Sequence, residues 1–172
     1  MSKKTLKKHH NSNKDIQHHH MLIRMETELH PSKNDMNCIK NIIKQIINDL
    51  NMELLGGPYI YYQDMPFSHK GITSITSIKT SHISFHFWDT PELNILQNAN
   101  SKSLLQFDIY TCGTLTKNQA LKIIKYFNIY NPTRLDIDII NRKKKLKIDH
   151  HLHWNYNNKT SFDEWIENKL VK

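Results

Sequence analysis

From Met21 the chain alternates: Met21, Ile23 and Met25 are offset against Leu22, Arg24 and Glu26, the period-two spacing of a strand with one buried face. The period then lengthens. Met36, Ile39, Ile43, Ile46, Ile47 and Leu50 recur at helical spacing behind Ser32 or Asn34 as a cap, and Gly56-Gly57 is expected to end that helix. Residues 59–62 read as a strand, 66–71 as a turn around Pro66, and 71–80 and 81–88 as successive strands rich in β-branched and aromatic residues. The polar stretch 89–103, interrupted by Pro91, reads as a loop between paired strands. In 104–111, Leu105, Phe107 and Ile109 face one way and Gln106, Asp108, Tyr110 and then Cys112 the other. Thr116 caps a second amphipathic helix carrying Ala120, Ile123, Ile124 and Phe127, which stops before Pro132. Leu135, Ile137 and Ile139 form a last alternating run, expected to close the sheet. This order predicts an α+β fold, a mainly antiparallel sheet with helices on one face.

The length of 172 residues suits one domain with a single core. Residues 1–20, rich in Lys, His and Asn and poor in apolar side chains, are expected to be a disordered basic tail, with the run His18, His19, His20 incidental to it. The domain is expected over 21–141. A polar extension over 142–172 follows, with a short helix at 161–170. The net charge of +8 changes little once located: residues 1–20 carry +4 and the run Arg142, Lys143, Lys144, Lys145, Lys147 carries +5, which leaves the body near −1. Charge confined to the two ends speaks against nucleic acid as a partner. There is no P-loop and no GxGxxG pattern, no apolar run of membrane-spanning length, and no apolar core of a secretion signal behind the basic N-terminus. With only Cys38 and Cys112, a disulfide framework is excluded, and the cytoplasm is the expected compartment.

The candidate chemistry gathers on Ser81, His86 and Cys112. Alternation puts His82, Ser84 and His86 on the polar face of their strand. If that strand pairs with 104–111, His86 and Cys112 are expected to converge there, and a thiol beside an imidazole is a candidate nucleophile or proton donor. A zinc site from His82, His86, Cys112, His150, His151 and His153 has the ligand types but not the spacing of a structural zinc motif, so no metal is expected. The residues alone leave open an inert thiol and a merely hydrogen-bonded histidine.

Two separated segments carry a resemblance. Thr80-Ser81-His82-Ile83-Ser84-Phe85-His86-Phe87-Trp88, with Pro91-Glu92 after it, and Phe107-Asp108-Ile109-Tyr110-Thr111-Cys112-Gly113 are similar, in order, to the S-H-x-x-x-H-x-W-P-E and D-[VIL]-[FY]-T-C-G segments of the small prokaryotic-type S-adenosylmethionine decarboxylases. A looser likeness covers about 20–130, including Phe67 and Gly71-Ile72-Thr73. Decarboxylating an α-amino acid needs an electron sink that no ordinary side chain provides. The resemblance implies that the chain makes its own. Ser81 would attack the Thr80 carbonyl, and the resulting ester would eliminate to leave a pyruvoyl group generated from Ser81. His86, expected on the same strand face, would remove the Ser81 α-proton, with Thr73 in the place of a processing serine. The pyruvoyl carbonyl would take the substrate amine as a Schiff base, and Cys112 would return a proton after carbon dioxide leaves. Phe67 matches the residue that stacks on adenine and Glu92 the one that binds the ribose. A homodimer of processed protomers feeding polyamine (spermidine) biosynthesis is also implied.

The sequence departs from the family pattern at named places. Thr80 stands where Glu is usual, Phe87 replaces a frequent Thr, and Asp89-Thr90 separate Trp88 from Pro91-Glu92. Changed substrate-binding positions beside retained Ser81, His86 and Cys112 also fit a pyruvoyl decarboxylase of arginine or ornithine, and an unprocessed homologue that regulates a partner is the non-catalytic alternative.

Overall fold

The computed structural model describes residues 16–64, 70–79, 81–156 and 160–171. Its strands are β1 (His19–Thr27), β2 (Leu54–Gln63), β3 (Gly71–Ile78), β4 (Ser81–Trp88), β5 (Ser103–Thr111), β6 (Pro132–Asn141) and β7 (Lys147–Asn155). They form one sheet in the order β2-β3-β4-β5-β1-β6-β7, with every neighbouring pair antiparallel. The helices are α1 (Met36–Asp49), α2 (Lys117–Lys125) and α3 (Phe162–Leu170). The fold is the expected α+β sandwich.

Alternation builds the core layer. Met21, Ile23 and Met25 of β1 point to the same side as Phe107 and Ile109 of β5 and Ile137 and Ile139 of β6, because Ile23 pairs with both Phe107 and Ile137. Ile39, Ile43, Ile46 and Ile47 of α1 and Ala120, Ile123 and Ile124 of α2 bury their stripes in the same cluster. Each such isoleucine side chain contributes about 1.5–3 kcal/mol by leaving water. Helix starts follow the expected caps: Ser32 and Asp35 make a capping box on a short 3-10 turn leading into α1, and Thr116 and Gln119 make one on α2. Ser101, Thr133, Glu26 and Asn98 are buried as well, and they hydrogen-bond one another or nearby backbone.

Several boundaries differ from those the sequence suggests. α1 stops at Asp49, and the chain leaves it through Asn51 in the left-handed region (φ 52°). Gly56-Gly57 therefore do not end the helix; they lie inside β2, where its pairing with β3 is bulged. β1 begins at His19, so two residues assigned to the tail are strand, and His19 is buried. β6 does not close the sheet. The polar extension supplies a seventh strand, β7, whose Leu152 and Trp154 face the core while His151 and His153 meet Asp138 and Asp136 of β6, each at 2.7 Å. Ser161 caps α3, whose Phe162, Trp165 and Ile166 close over Trp154 and the end of α2.

Among the described residues, the other face of the sheet carries none of α1–α3 and is largely polar. Its centre is a depression of about 630 Å³ lined by residues that include Arg24, Ser84, His86, Asp108, Asp136 and Asp138. None of the described helices is long and apolar enough to cross a membrane.

Candidate active site

β4 and β5 run antiparallel with Ser81 opposite Thr111 and His86 opposite Gln106. This register brings Ser81 and Cys112 to one end of the strand pair, since Cys112 directly follows Thr111. The Cys112 carbonyl accepts from the Gln17 amide at 3.0 Å, and Thr111 Oγ1 accepts from Gly113 at 3.0 Å, so the turn bearing the thiol is pinned from both sides. The thiol is partly exposed.

The same register separates His86 from both residues. Five positions along a strand are about 16 Å, and odd and even positions face opposite sides. His86 lies on the open face, while Ser81 shares the parity of Ile83 and Phe85, which are core. The expected shared face for Ser81 and His86 is thus incorrect. The expected convergence of His86 and Cys112 fails too, because Cys112 is six residues beyond the partner of His86, about 20 Å along the strand. His86 instead belongs to a second group. Its Nδ1 is 2.8 Å from Thr73 Oγ1 on the paired strand, and its ring stacks on Trp88 at 5.4 Å between centroids. A cavity of about 270 Å³ beside this pair is lined by Tyr61, Thr73, His86 and Trp88, among others.

The histidine beside Ser81 is His82. Ser81 Oγ is 3.3 Å from His82 Nδ1, and His82 Nε2 lies 3.7 Å from Asp108 Oδ1. Asp108 also has His20 Nε2 at 3.5 Å and accepts a very short hydrogen bond from Ser84. Burial alone would raise the Asp108 carboxyl; the His20 and Ser84 contacts and the charges of His20 and His82 outweigh it and hold the group below its ordinary value. Tyr110 completes the cluster, with its hydroxyl 2.9 Å from His18 Nδ1 and Arg142 over its ring at 4.6 Å.

His18, His19 and His20 are accordingly not incidental: His18 meets Tyr110, His20 meets Asp108, and His19 Nδ1 accepts from the Leu115 amide at 3.0 Å, just after the Cys112 turn. Sequence reasoning missed His20, Asp108 and Tyr110 as one group. The usable signal was the polar side of the β5 alternation; the missing piece was that β1 lies beside β5.

The remaining candidates lie elsewhere. Glu92 is exposed in the loop after Trp88, where its carbonyl accepts from Ile95, remote from Ser81. Phe67 and Thr80 fall outside the described residues. The zinc candidates do not assemble: among the described residues no three His, Cys, Asp or Glu side chains converge to hold a metal ion. The Ser81 end does suit a cofactor made from the chain itself. Its serine is accessible, its hydroxyl meets an imidazole, and a thiol sits on the neighbouring strand end.

Comparison with known proteins bears on the family of the chain. Residues 20–143 match the sequence model of the S-adenosylmethionine decarboxylase family, from the second residue of β1 to just beyond β6. The chain is also 28% identical over 86 residues to an S-adenosylmethionine decarboxylase proenzyme of Archaeoglobus fulgidus. That alignment spans 49% of this chain and 62% of the relative. With most of its sheet and both of its first two helices inside the matched region, the chain belongs to the S-adenosylmethionine decarboxylase family.

Proposed function

We propose that this protein is a self-processing, pyruvoyl-dependent decarboxylase of S-adenosylmethionine, supplying aminopropyl groups for polyamine (spermidine) synthesis. The observation that carries the reading is the juxtaposition of Ser81 and Cys112 at paired strand ends, inside the region that matches the family model. The pyruvoyl group supplies a carbonyl electron sink for the bond to carbon dioxide. Position 81 holds it, and Cys112 donates a proton to the substrate α-carbon.

The distance between Ser81 and His86 within one chain supports a homodimer. A two-fold axis across the strands, with the open faces opposed, sets the Ser81 end of one protomer against the Thr73 and His86 end of the other. Exposed Tyr59, Tyr61 and Ile75 near that pair give such an interface apolar area.

Release of carbon dioxide from S-adenosylmethionine, arginine and ornithine, measured side by side, tests the substrate. Release from S-adenosylmethionine alone, weakened in Phe67→Ala, is expected. Release from arginine or ornithine alone assigns the chain to a basic amino acid, and no release by an uncleaved chain assigns it to the non-catalytic reading.

A further inference from the structure

The imidazole that touches Ser81 is not the one the family likeness singles out. His82 Nδ1 is 3.3 Å from Ser81 Oγ, and Nε2 of the same ring faces Asp108 Oδ1 at 3.7 Å. A hydroxyl, an imidazole and a carboxylate therefore lie in sequence, the connectivity that lets a serine lose its proton at neutral pH. Among the described residues His82 has little other packing. Its side chain is 46% exposed, so it fills no core, and its ring meets Tyr110 only at a tilted 6.0 Å.

We propose that His82 is the general base for the first step of self-processing, the attack of Ser81 on the Thr80 carbonyl, with Asp108 as the positioning residue that fixes the ring. The proposal rests on the processing reading above and divides its chemistry between two histidines. The Oγ–H proton passes to His82 Nδ1 as Oγ bonds to the Thr80 carbonyl carbon. The carbon–nitrogen bond to Ser81 then breaks, and the imidazolium returns its proton to the departing nitrogen. The products are an ester and a free amine, and no external reactant is consumed. His86 acts only afterwards, on the Ser81 α-proton. Asp108 suits its role: it is held ionised by Ser84 and His20, and the carboxylate favours the tautomer with the proton on Nε2, which leaves Nδ1 free to accept.

The test follows cleavage of the full chain by intact mass from the moment of synthesis, in wild type, His82→Ala, His82→Gln, Asp108→Asn and His86→Ala, with and without hydroxylamine, which cuts an ester. His82→Ala is expected to slow cleavage by about 100-fold or more, the usual range for losing a general base. It should accumulate no hydroxylamine-sensitive ester, and added imidazole should restore part of the rate. His82→Gln, which keeps a polar side chain of similar size, should melt with wild type and stay slow. Asp108→Asn should slow cleavage less, and His86→Ala should accumulate the ester. Cleavage of His82→Ala at the wild-type rate, or full recovery in His82→Gln, overturns the role of His82. A wild-type chain that never cleaves overturns the processing reading itself.

Discussion

The two ends of β4 are built by different means. At the Ser81 end, polar side chains from three strands, His20, His82, Asp108 and Tyr110, meet partly exposed, and the thiol turn beside them is held by hydrogen bonds. At the His86 end, order comes from buried groups. Glu26, fully buried on β1, accepts from the amides of Gln97 and Asn98 and from Ser101 Oγ, and it pairs with Arg24 at 2.5 Å, so the long loop before β5 is clamped to the sheet. Gly71, which pairs with Trp88, lets β3 come close enough for Thr73 to meet His86. One end thus gathers exposed and half-buried polar groups around Ser81, and the other holds His86 against Thr73 and Trp88.

The sharpest way to break this comparison is Ser81→Ala, which is expected to abolish cleavage and decarboxylation together, while His86→Ala stops the process after ester formation. Mixing the two variants as co-expressed chains sharpens it further. If the ends cooperate across a two-fold dimer, a mixed dimer regains one intact site and cleaves part of its His86→Ala chains, whereas sites confined to single chains regain none. Cys112→Ala should still be cleaved but should lose roughly 10²–10⁴-fold in turnover, the range for a lost proton donor, read by carbon dioxide release.

Smaller effects probe the His86 end. A Cβ at Gly71 would lie 2.1 Å from the Phe87 carbonyl oxygen at a φ of +150°, so Gly71→Ala should cost about 2–4 kcal/mol by denaturant unfolding and weaken cleavage through Thr73 and His86. Glu26→Gln turns an amide donor toward amides that themselves donate and should cost about 2–3 kcal/mol. Its pH dependence follows from the same contacts. Burial alone would raise the Glu26 carboxyl, but hydrogen bonds from Ser101, Arg24, Asn98 and Gln97 hold it below its ordinary 4.5. Its stabilisation is therefore complete above that value and is lost as pH falls through the lower folded-state value. Thermal melts of wild type should weaken across that acid window more than those of Glu26→Gln.

Much of the fold was legible because alternation and helical spacing are local. β1, β3, β4 and β5, both early helices and the Ser32 and Thr116 caps follow from nearest neighbours alone. β7 was not, although Leu152 and Trp154 alternate, because the partners of its His151 and His153, Asp138 and Asp136, are known only once β6 is beside it. Gly56-Gly57 misled because glycine marks a strand bulge as readily as a helix end. At the candidate site, motif spacing picked out Ser81, His86 and Cys112 individually. Which of them meet depends on antiparallel register, and that register joins Ser81 to Cys112 and sends His86 to the far end.

The central claim is that Ser81 is where this chain cuts itself, and intact-mass measurement of the purified full-length protein over time at neutral pH tests it most directly. The account predicts that the 20.5 kDa chain is replaced by two fragments, residues 1–80 and 81–172, the second with an N-terminus closed to sequencing. A single uncut chain after prolonged incubation, or a fragment beginning at Ser81 with a free amine, would contradict it.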